Sequence, residues 1–228
     1  GKYVAFTREN NLFAIDLATG KEYQYTTDGN DVVYNGWASW LYYEEIFGRS
    51  SRYRAFWWSP TSAHLAFYRF DESKVPVFPL LNSEGQHGLV ENTRYPKPDD
   101  PNPEVRVGVV PVTGGPLVWA GFNEKEDQYF GMPFWTPDGK SLWVQWMNRG
   151  QDTLRIYGVD PKSGARRTVY DEYQKSWVEW FESIKFLEKN RGFILRTDKD
   201  GWKHFYLHEM DGKLNRRLTA GKWNVVDL

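Results

Sequence analysis

Two adjacent carboxylates, Glu44 and Glu45, lie in the run WLYYEEIF at residues 40–47, whose other members are all aromatic or aliphatic. Neighbouring like charges repel, and the repulsion costs free energy unless a cation lies close to them. A solvated acidic pair usually has polar neighbours, whereas this pair lies between Tyr43 and Ile46. The pair therefore predicts a site that receives a positive charge. An exposed acidic pair at a sheet edge is the structural alternative.

The sequence contains few other residues whose types and spacing indicate catalysis or metal binding. It contains no Gly-x-Ser-x-Gly motif, the turn that presents a nucleophilic serine. His204 and His208 are four apart, but they fall in an alternating segment that predicts a strand, where such positions lie about 13 Å apart. We expect surface or blade-edge histidines, no catalytic residue, no metal site and no cofactor.

The composition narrows the class of protein. The chain has no cysteine, which excludes disulfides and cysteine-based metal sites, and its net charge of −1 predicts no nucleic-acid partner. No apolar run approaches the ~20 residues of a membrane span. The first residues already have the pattern of a strand, so we expect a piece of a longer chain. Its aromatic fraction of 18% favours β structure.

A repeated pattern of three strands separated by polar and Gly-containing turns accounts for most of the chain. The copies are residues 3–26, 141–170, 191–218 and an interrupted copy at 64–69 and 105–119. Units of four strands that repeat at roughly 50 residues are typical of β-propeller blades. The sequence thus predicts an all-β fold, a partial β-propeller of about four antiparallel blades from an eight-bladed ring, over residues 1–228. A β-sandwich is the alternative, but it does not predict self-similar units.

The interruption, residues 71–104, is rich in proline, which excludes a helix or a central strand. A surface loop is one interpretation. The apolar flank at residues 75–81 favours an extended arm that packs on a neighbour.

These features together resemble the propeller of the dipeptidyl peptidase IV branch of the prolyl oligopeptidase family. The matching segments, in order, are YNG at 34–36, WLYYEEIF at 40–47, WWSP at 57–60, LA at 65–66, FDESKVP at 70–76, YPK at 95–97 and NP at 102–103. The family pattern usually has an acidic residue before the glutamate pair, where this chain has Tyr43. That departure leaves the pair itself intact.

The resemblance implies substrate-binding residues. The family's glutamate pair, which grips the α-ammonium of a peptide substrate, falls on Glu44 and Glu45. Phe181 aligns with an aromatic residue that lines the pocket for the second substrate residue; a core strand aromatic is the alternative. The arm at 71–104 corresponds to a segment that contributes to homodimerisation.

We therefore expect a segment of a serine exopeptidase that releases X-Pro or X-Ala dipeptides, in a bacterial-type homologue, periplasmic or secreted. The α/β-hydrolase domain with the Ser-Asp-His triad is absent from this chain, so the chain alone is expected to be inactive. A tripeptidyl variant and a non-catalytic propeller binding module are alternatives. A propeller glycosidase fits less well, because its two carboxylates come from different strands.

Overall fold

A computed structural model describes residues 1–48 and 53–227, and its regular structure is almost entirely antiparallel β-sheet. The described residues divide into two compact units. The first takes the described part of Gly1–Trp57 with Leu65–Leu117 and Phe122–Asp127, and the second takes Trp58–His64, Val118–Gly121 and the described residues from Gln128 onward. Both units are thus assembled from several separate stretches of the chain.

The first unit contains two blade-like sheets and a hairpin. Its strands are β1 (Tyr3–Arg8), β2 (Asn11–Asp16), β3 (Glu22–Gln24), β4 (Val33–Asn35), β5 (Phe56–Trp58), β6 (His64–Asp71), β7 (Val77–Asn82), β8 (Leu89–Arg94) and β9 (Glu104–Pro111). The last residue of β5, Trp58, and the first of β6, His64, belong to the second unit. One sheet has the order β1-β2-β3, the next runs β9-β6-β4 with β5 also on β6, and β7 pairs only with β8. Strand β6 has buried residues on both faces, because it is a central strand.

The second unit contains two further blade-like sheets. Its strands are β10 (Val118–Trp119), β11 (Gln128–Phe130), β12 (Phe134–Trp135), β13 (Leu142–Asn148), β14 (Thr153–Val159), β15 (Arg166–Tyr173), β16 (Lys185–Phe186), β17 (Phe193–Thr197), β18 (His204–His208) and β19 (Leu214–Arg217). Their orders are β11-β13-β14-β15, with β12 also on β13, and β16-β17-β18-β19. Trp143 of β13 and Phe193 of β17 are fully buried and meet edge to face at 4.7 Å.

Strands form where the repeat predicts them. The copies at 3–26, 141–170 and 191–218 correspond to β1–β3, β13–β15 and β17–β19, and the interrupted copy corresponds to β6, β9 and β10. The architecture is all-β and belongs to part of a β-propeller, as predicted. In the described part of the chain, no helix is long and apolar enough to cross a bilayer.

The insert contains a two-stranded hairpin. Within residues 71–104, β7 and β8 pair in register from Val77↔Arg94 to Asn82↔Leu89 and make a two-stranded ribbon. The ribbon exposes four large aliphatic side chains to solvent: Val77, Leu81, Leu89 and Val90. The exclusion of a helix and of a central strand is confirmed, since both strands of a hairpin are edges.

Candidate functional site

Glu44 and Glu45 lie on a single π-helical turn, Tyr42–Ile46. The Phe47 N–H donates to the Tyr42 carbonyl at 2.7 Å, the wide hydrogen bond that defines this turn, and the N–H groups of Tyr42 and Tyr43 both donate to the Ser39 carbonyl. A π-turn holds more residues than an α-turn, so successive side chains diverge by a smaller angle. The turn therefore projects the two carboxylates closer to one direction than an α-helix would.

Buried rings anchor this turn from both ends. Tyr42 is fully buried and meets Phe70 of β6 at 4.7 Å, while Phe47, 2% exposed, contacts Trp57 of β5 and Tyr68 of β6. Such edge-to-face contacts give a fixed geometry in addition to burying apolar area. The backbone that carries Glu44 and Glu45, called the dyad from here on, is therefore held by the sheet beneath it.

The two glutamates differ in their access to solvent: Glu44 is half-buried and Glu45 is exposed. A bound cation at this position would meet one carboxylate in a partly dehydrated setting and one in water. Charge interactions weaken with solvent exposure. The dyad thus combines a more strongly interacting carboxylate with a more accessible one.

Tyr43, which stands where the family pattern has an acidic residue, is half-buried and packs against two other rings. Its ring lies 4.3 Å from that of Tyr53 and 5.4 Å from that of Trp40. Burial, a hydrogen bond with Tyr53 and the charges of nearby residues raise the pKa of Tyr43 to about 12. This side chain is neutral at physiological pH, so the dyad carries no third adjacent negative charge from this position.

Phe181 lies in the second unit. It belongs to the loop between β15 and β16, so the alternative of a core strand aromatic is wrong about the element. The buried amide of Gln145 in β13 clamps its backbone, accepting from the Phe181 N–H at 2.9 Å and donating to its carbonyl at 3.0 Å. The ring is 7% exposed and meets Tyr170 edge to face. Its role as a subsite aromatic stays a prediction.

A small cavity of about 70 Å³ borders Phe181, and a buried carboxylate also lines it. Glu172 of β15 accepts hydrogen bonds from Tyr170, Thr197 and Gln174 at 2.6–2.8 Å. Burial, together with the neighbouring Glu172 charge, raises the pKa of the Tyr170 hydroxyl far above its usual value. Sequence reasoning missed this cluster, because its members come from two strands and carry no short motif.

The prediction of surface or blade-edge histidines is wrong for His204 and His208. They lie in a strand, as predicted, but His204 is fully buried and His208 is 3% exposed. The His204 ring nitrogens pair with the Thr219 hydroxyl and the Gly221 carbonyl, each at 2.9 Å, and the Nδ1 of His208 pairs with the Gly212 carbonyl. His208 thus holds the turn between β18 and β19, and His204 holds the segment that follows β19. Across residues 1–48 and 53–227, no three His, Cys, Asp or Glu side chains are grouped closely enough to hold a metal ion.

Comparison with known proteins gives one consistent result. The chain is 30% identical, over 98% of its length, to a protein named "Probable dipeptidyl-aminopeptidase B" from Emericella nidulans, of which it covers 27%. It is 30% identical, over its whole length, to "Probable dipeptidyl peptidase 4" from Aspergillus fumigatus, of which it covers 31%. The crystal structure of Porphyromonas gingivalis dipeptidyl peptidase 4 superposes on 99% of this chain with a TM-score of 0.89 and 33% identity, and the chain covers 32% of it.

The chain thus spans about 30% of the length of the curated relatives it matches. The family model described as the dipeptidyl peptidase IV N-terminal region matches residues 1–228. By this match the chain belongs to the dipeptidyl peptidase IV N-terminal region family.

Proposed function

We propose that this chain is part of a serine exopeptidase that releases X-Pro or X-Ala dipeptides. In that enzyme the chain controls access to the active site and recognises the N-terminus of the peptide substrate. Glu44 and Glu45 bind the α-ammonium of the substrate. The observation that carries the proposal is a pair of consecutive carboxylates, on a π-turn fixed by buried rings, in a chain of this family.

The chemistry of the two partners is complementary. A peptide α-amine has a pKa near 8 and is largely charged at neutral pH. Its three N–H donors match the oxygen atoms of two carboxylates, and such charge-assisted hydrogen bonds are about twice as strong as neutral ones. An ammonium held at one place sets which peptide bond reaches the nucleophile, so the dyad contributes by positioning.

The rest of the proposed enzyme lies in a further domain. The chain covers 27% and 31% of the two relatives named above, which leaves room for the α/β-hydrolase domain with the Ser-Asp-His triad. We propose that residues 1–228 are inactive alone and that the enzyme is periplasmic or secreted.

The arm at 71–104 is proposed to join two copies of the protein. Leu81 and Val90 are directly opposite each other on the ribbon, and they are 79% and 63% exposed. Aliphatic side chains this exposed on a two-stranded ribbon favour burial against a partner. A homodimer through the arm supplies that partner.

Product analysis of the full-length protein tests this function. A synthetic heptapeptide with a free N-terminus and proline at its second position is incubated with the protein, with and without a serine-directed phosphonate, and the products are identified by mass spectrometry. We expect an N-terminal dipeptide whose release stops with the inhibitor. A tripeptide would establish the tripeptidyl alternative, and no cleavage would support the non-catalytic binding module.

A further inference from the structure

A second cavity, of about 370 Å³, lies within the first unit at the base of the arm. Its volume is in the range of small-molecule sites, roughly 300–1,000 Å³. The π-turn contributes Tyr43 to its wall, β8 contributes Glu91 and Arg94, and neither Glu44 nor Glu45 lines it. The cavity is therefore distinct from the dyad.

Carboxylates outnumber cations along this cavity. Asp31, Glu72 and Glu91 line it, against one arginine, Arg94. Glu72 is 3% exposed, and its burial raises the pKa of the carboxyl to about 7, although the Tyr34 hydrogen bond and the Arg94 charge oppose the rise. The Arg94 guanidinium also donates to the Val75 carbonyl at 2.5 Å, which ties the base of the arm. Because Glu72 is only partly ionised near neutral pH, the preference for a positively charged occupant comes mainly from Asp31 and Glu91.

A row of aromatic rings forms another part of the wall. Trp37 stacks on Tyr53 at 4.8 Å, Tyr53 lies 4.3 Å from Tyr43, and Tyr43 meets Trp40 edge to face at 5.4 Å. All four residues line the cavity. Aromatic walls attract organic cations through the electron density of the ring faces, and most strongly where water is partly excluded.

Two buried polar atoms beside these rings lack a partner. Among residues 1–48 and 53–227, neither Ser39 Oγ nor Trp40 Nε1 makes a hydrogen bond, and Ser39 is 1% exposed. Both residues line the cavity. Buried polar atoms of native proteins are nearly always paired, and an indole N–H can only donate. Both atoms are closed to water, so a ligand's acceptor would pair with them after a small rotation of the two side chains toward the cavity.

We infer that this cavity binds a small organic ammonium ion that carries a hydrogen-bond acceptor. The carboxylates and rings hold the cation, and the side chains of Trp40 and Ser39 turn to donate to the acceptor. The occupant also contacts the π-turn through Tyr43 and the arm through Glu91, so its binding joins two elements of the first unit.

Calorimetric titration of the full-length protein tests the site with two ammonium probes and their neutral counterparts. Choline is compared with 3,3-dimethylbutan-1-ol, and 5-aminopentan-1-ol with pentane-1,5-diol. We expect at least one ammonium probe to bind ten or more times as tightly as its neutral counterpart. If neither ammonium probe binds at millimolar concentration, or if each neutral counterpart binds equally well, the inference is wrong.

Variants locate the binding. Glu91 is exposed on β8, and Glu91→Gln is expected to weaken ammonium binding about two- to fivefold, as for a solvent-accessible ion pair. Glu84→Gln, the same change on the same arm but outside the cavity, is the matched control and should leave the affinity unchanged. Choline has no N–H to donate to the dyad, so Glu45→Gln should leave the affinity for choline unchanged. A loss with Glu45→Gln but not with Glu91→Gln would place the ammonium at the dyad and overturn the inference.

The acceptor is tested with Trp40→Phe, which removes the indole N–H and keeps an aromatic ring. We expect choline to bind several times more weakly, with a thermal unfolding temperature that shows the variant is folded. If neither Trp40→Phe nor Glu91→Gln changes the affinity for choline or for 3,3-dimethylbutan-1-ol, these molecules do not bind in the cavity.

Discussion

At the scale of single residues, the dyad shows what its neighbours do for two adjacent charges. Glu44 and Glu45 follow Tyr43, which is neutral and packed against other rings. The pair is thus spared a third negative charge that the family pattern usually places there. The half-buried position of Glu44 and the exposed position of Glu45 also predict unequal roles.

Separate Glu44→Gln and Glu45→Gln substitutions in the full-length protein test these roles. Loss of a hydrogen bond to a charged group costs about 1.5–3 kcal/mol, so kcat/KM is expected to fall roughly 10- to 150-fold. Glu44→Gln should cost more, since its half-buried charge is less screened. Steady-state kinetics with an X-Pro chromogenic substrate measures both. Glu84→Gln serves as the control, and equal kinetics for all three variants would contradict the roles.

Glu72 gives a prediction about pH. Burial raises its folded pKa from 4.5 to about 7, so the folded state holds a proton that the unfolded chain loses at lower pH. The free energy of unfolding therefore falls as the pH rises from about 4.5 to about 7, by about 3 kcal/mol in all. Glu72→Gln removes this loss.

Denaturant unfolding of both proteins at pH 4.5 and pH 7.5 measures the effect. The stability of Glu72→Gln relative to the unsubstituted chain should rise by about 3 kcal/mol between the two pH values. A relative stability that does not change with pH would show that the Glu72 carboxyl titrates normally. Glu84→Gln, on the exposed tip of the arm, should show no such change.

At the scale of elements, the π-turn depends on the rings below it. Phe47 is 2% exposed and contacts both β5 and β6 through Trp57 and Tyr68. Replacing a buried phenylalanine with alanine costs about 3–5 kcal/mol. Phe47→Ala should therefore destabilise the chain by that amount, and Phe47→Leu by less than half as much.

The same pair of variants tests whether the turn positions the dyad. At a temperature where Phe47→Ala is folded in the full-length protein, its KM for a peptide with a free N-terminus should rise, while Phe47→Leu should show a smaller rise. Circular dichroism confirms the folded fraction. An unchanged KM in folded Phe47→Ala would mean that the dyad does not need this anchor.

The sequence predicted the strands of the repeat, including the short β3 and β10, but missed other short strands. Alternating residues identified β13, β14 and β17, because a period of two persists over five or more residues in each. Strands of two or three residues, such as β4 and β16, are too short to show a period. They form because neighbouring strands supply their hydrogen-bond partners.

The site was only partly predictable for similar reasons. The glutamate pair could be recognised from the sequence, but the π-turn could not. The turn depends on the packing of Tyr42 and Phe47 against rings of β6 and β5. The buried rings of His204 and His208 find their hydrogen-bond partners after β19, at Thr219 and Gly221, and in the turn before it, at Gly212. Such contacts between separate parts of the chain leave no local pattern.

At the scale of the whole molecule, the arm predicts self-association. Leu81 is 79% exposed at the tip of β7. Burying a leucine contributes about 1.5–3 kcal/mol, so Leu81→Glu should weaken a dimer at least tenfold. Leu17→Glu, at a leucine that is 56% exposed outside the arm, is the control. Analytical ultracentrifugation of the full-length protein measures the dissociation constants. A monomeric protein, or equal effects of the two variants, would contradict the role of the arm.

The central claim is that the dyad recognises a charged N-terminus, and a comparison of two substrates tests it most directly. The kcat/KM of the full-length protein is measured for Ala-Pro-p-nitroanilide and for its N-acetylated form, with and without the double substitution of Glu44 and Glu45 by glutamine. We predict that the unsubstituted protein strongly prefers the free ammonium and that the double variant loses most of this preference. An equal preference in both proteins would contradict the account.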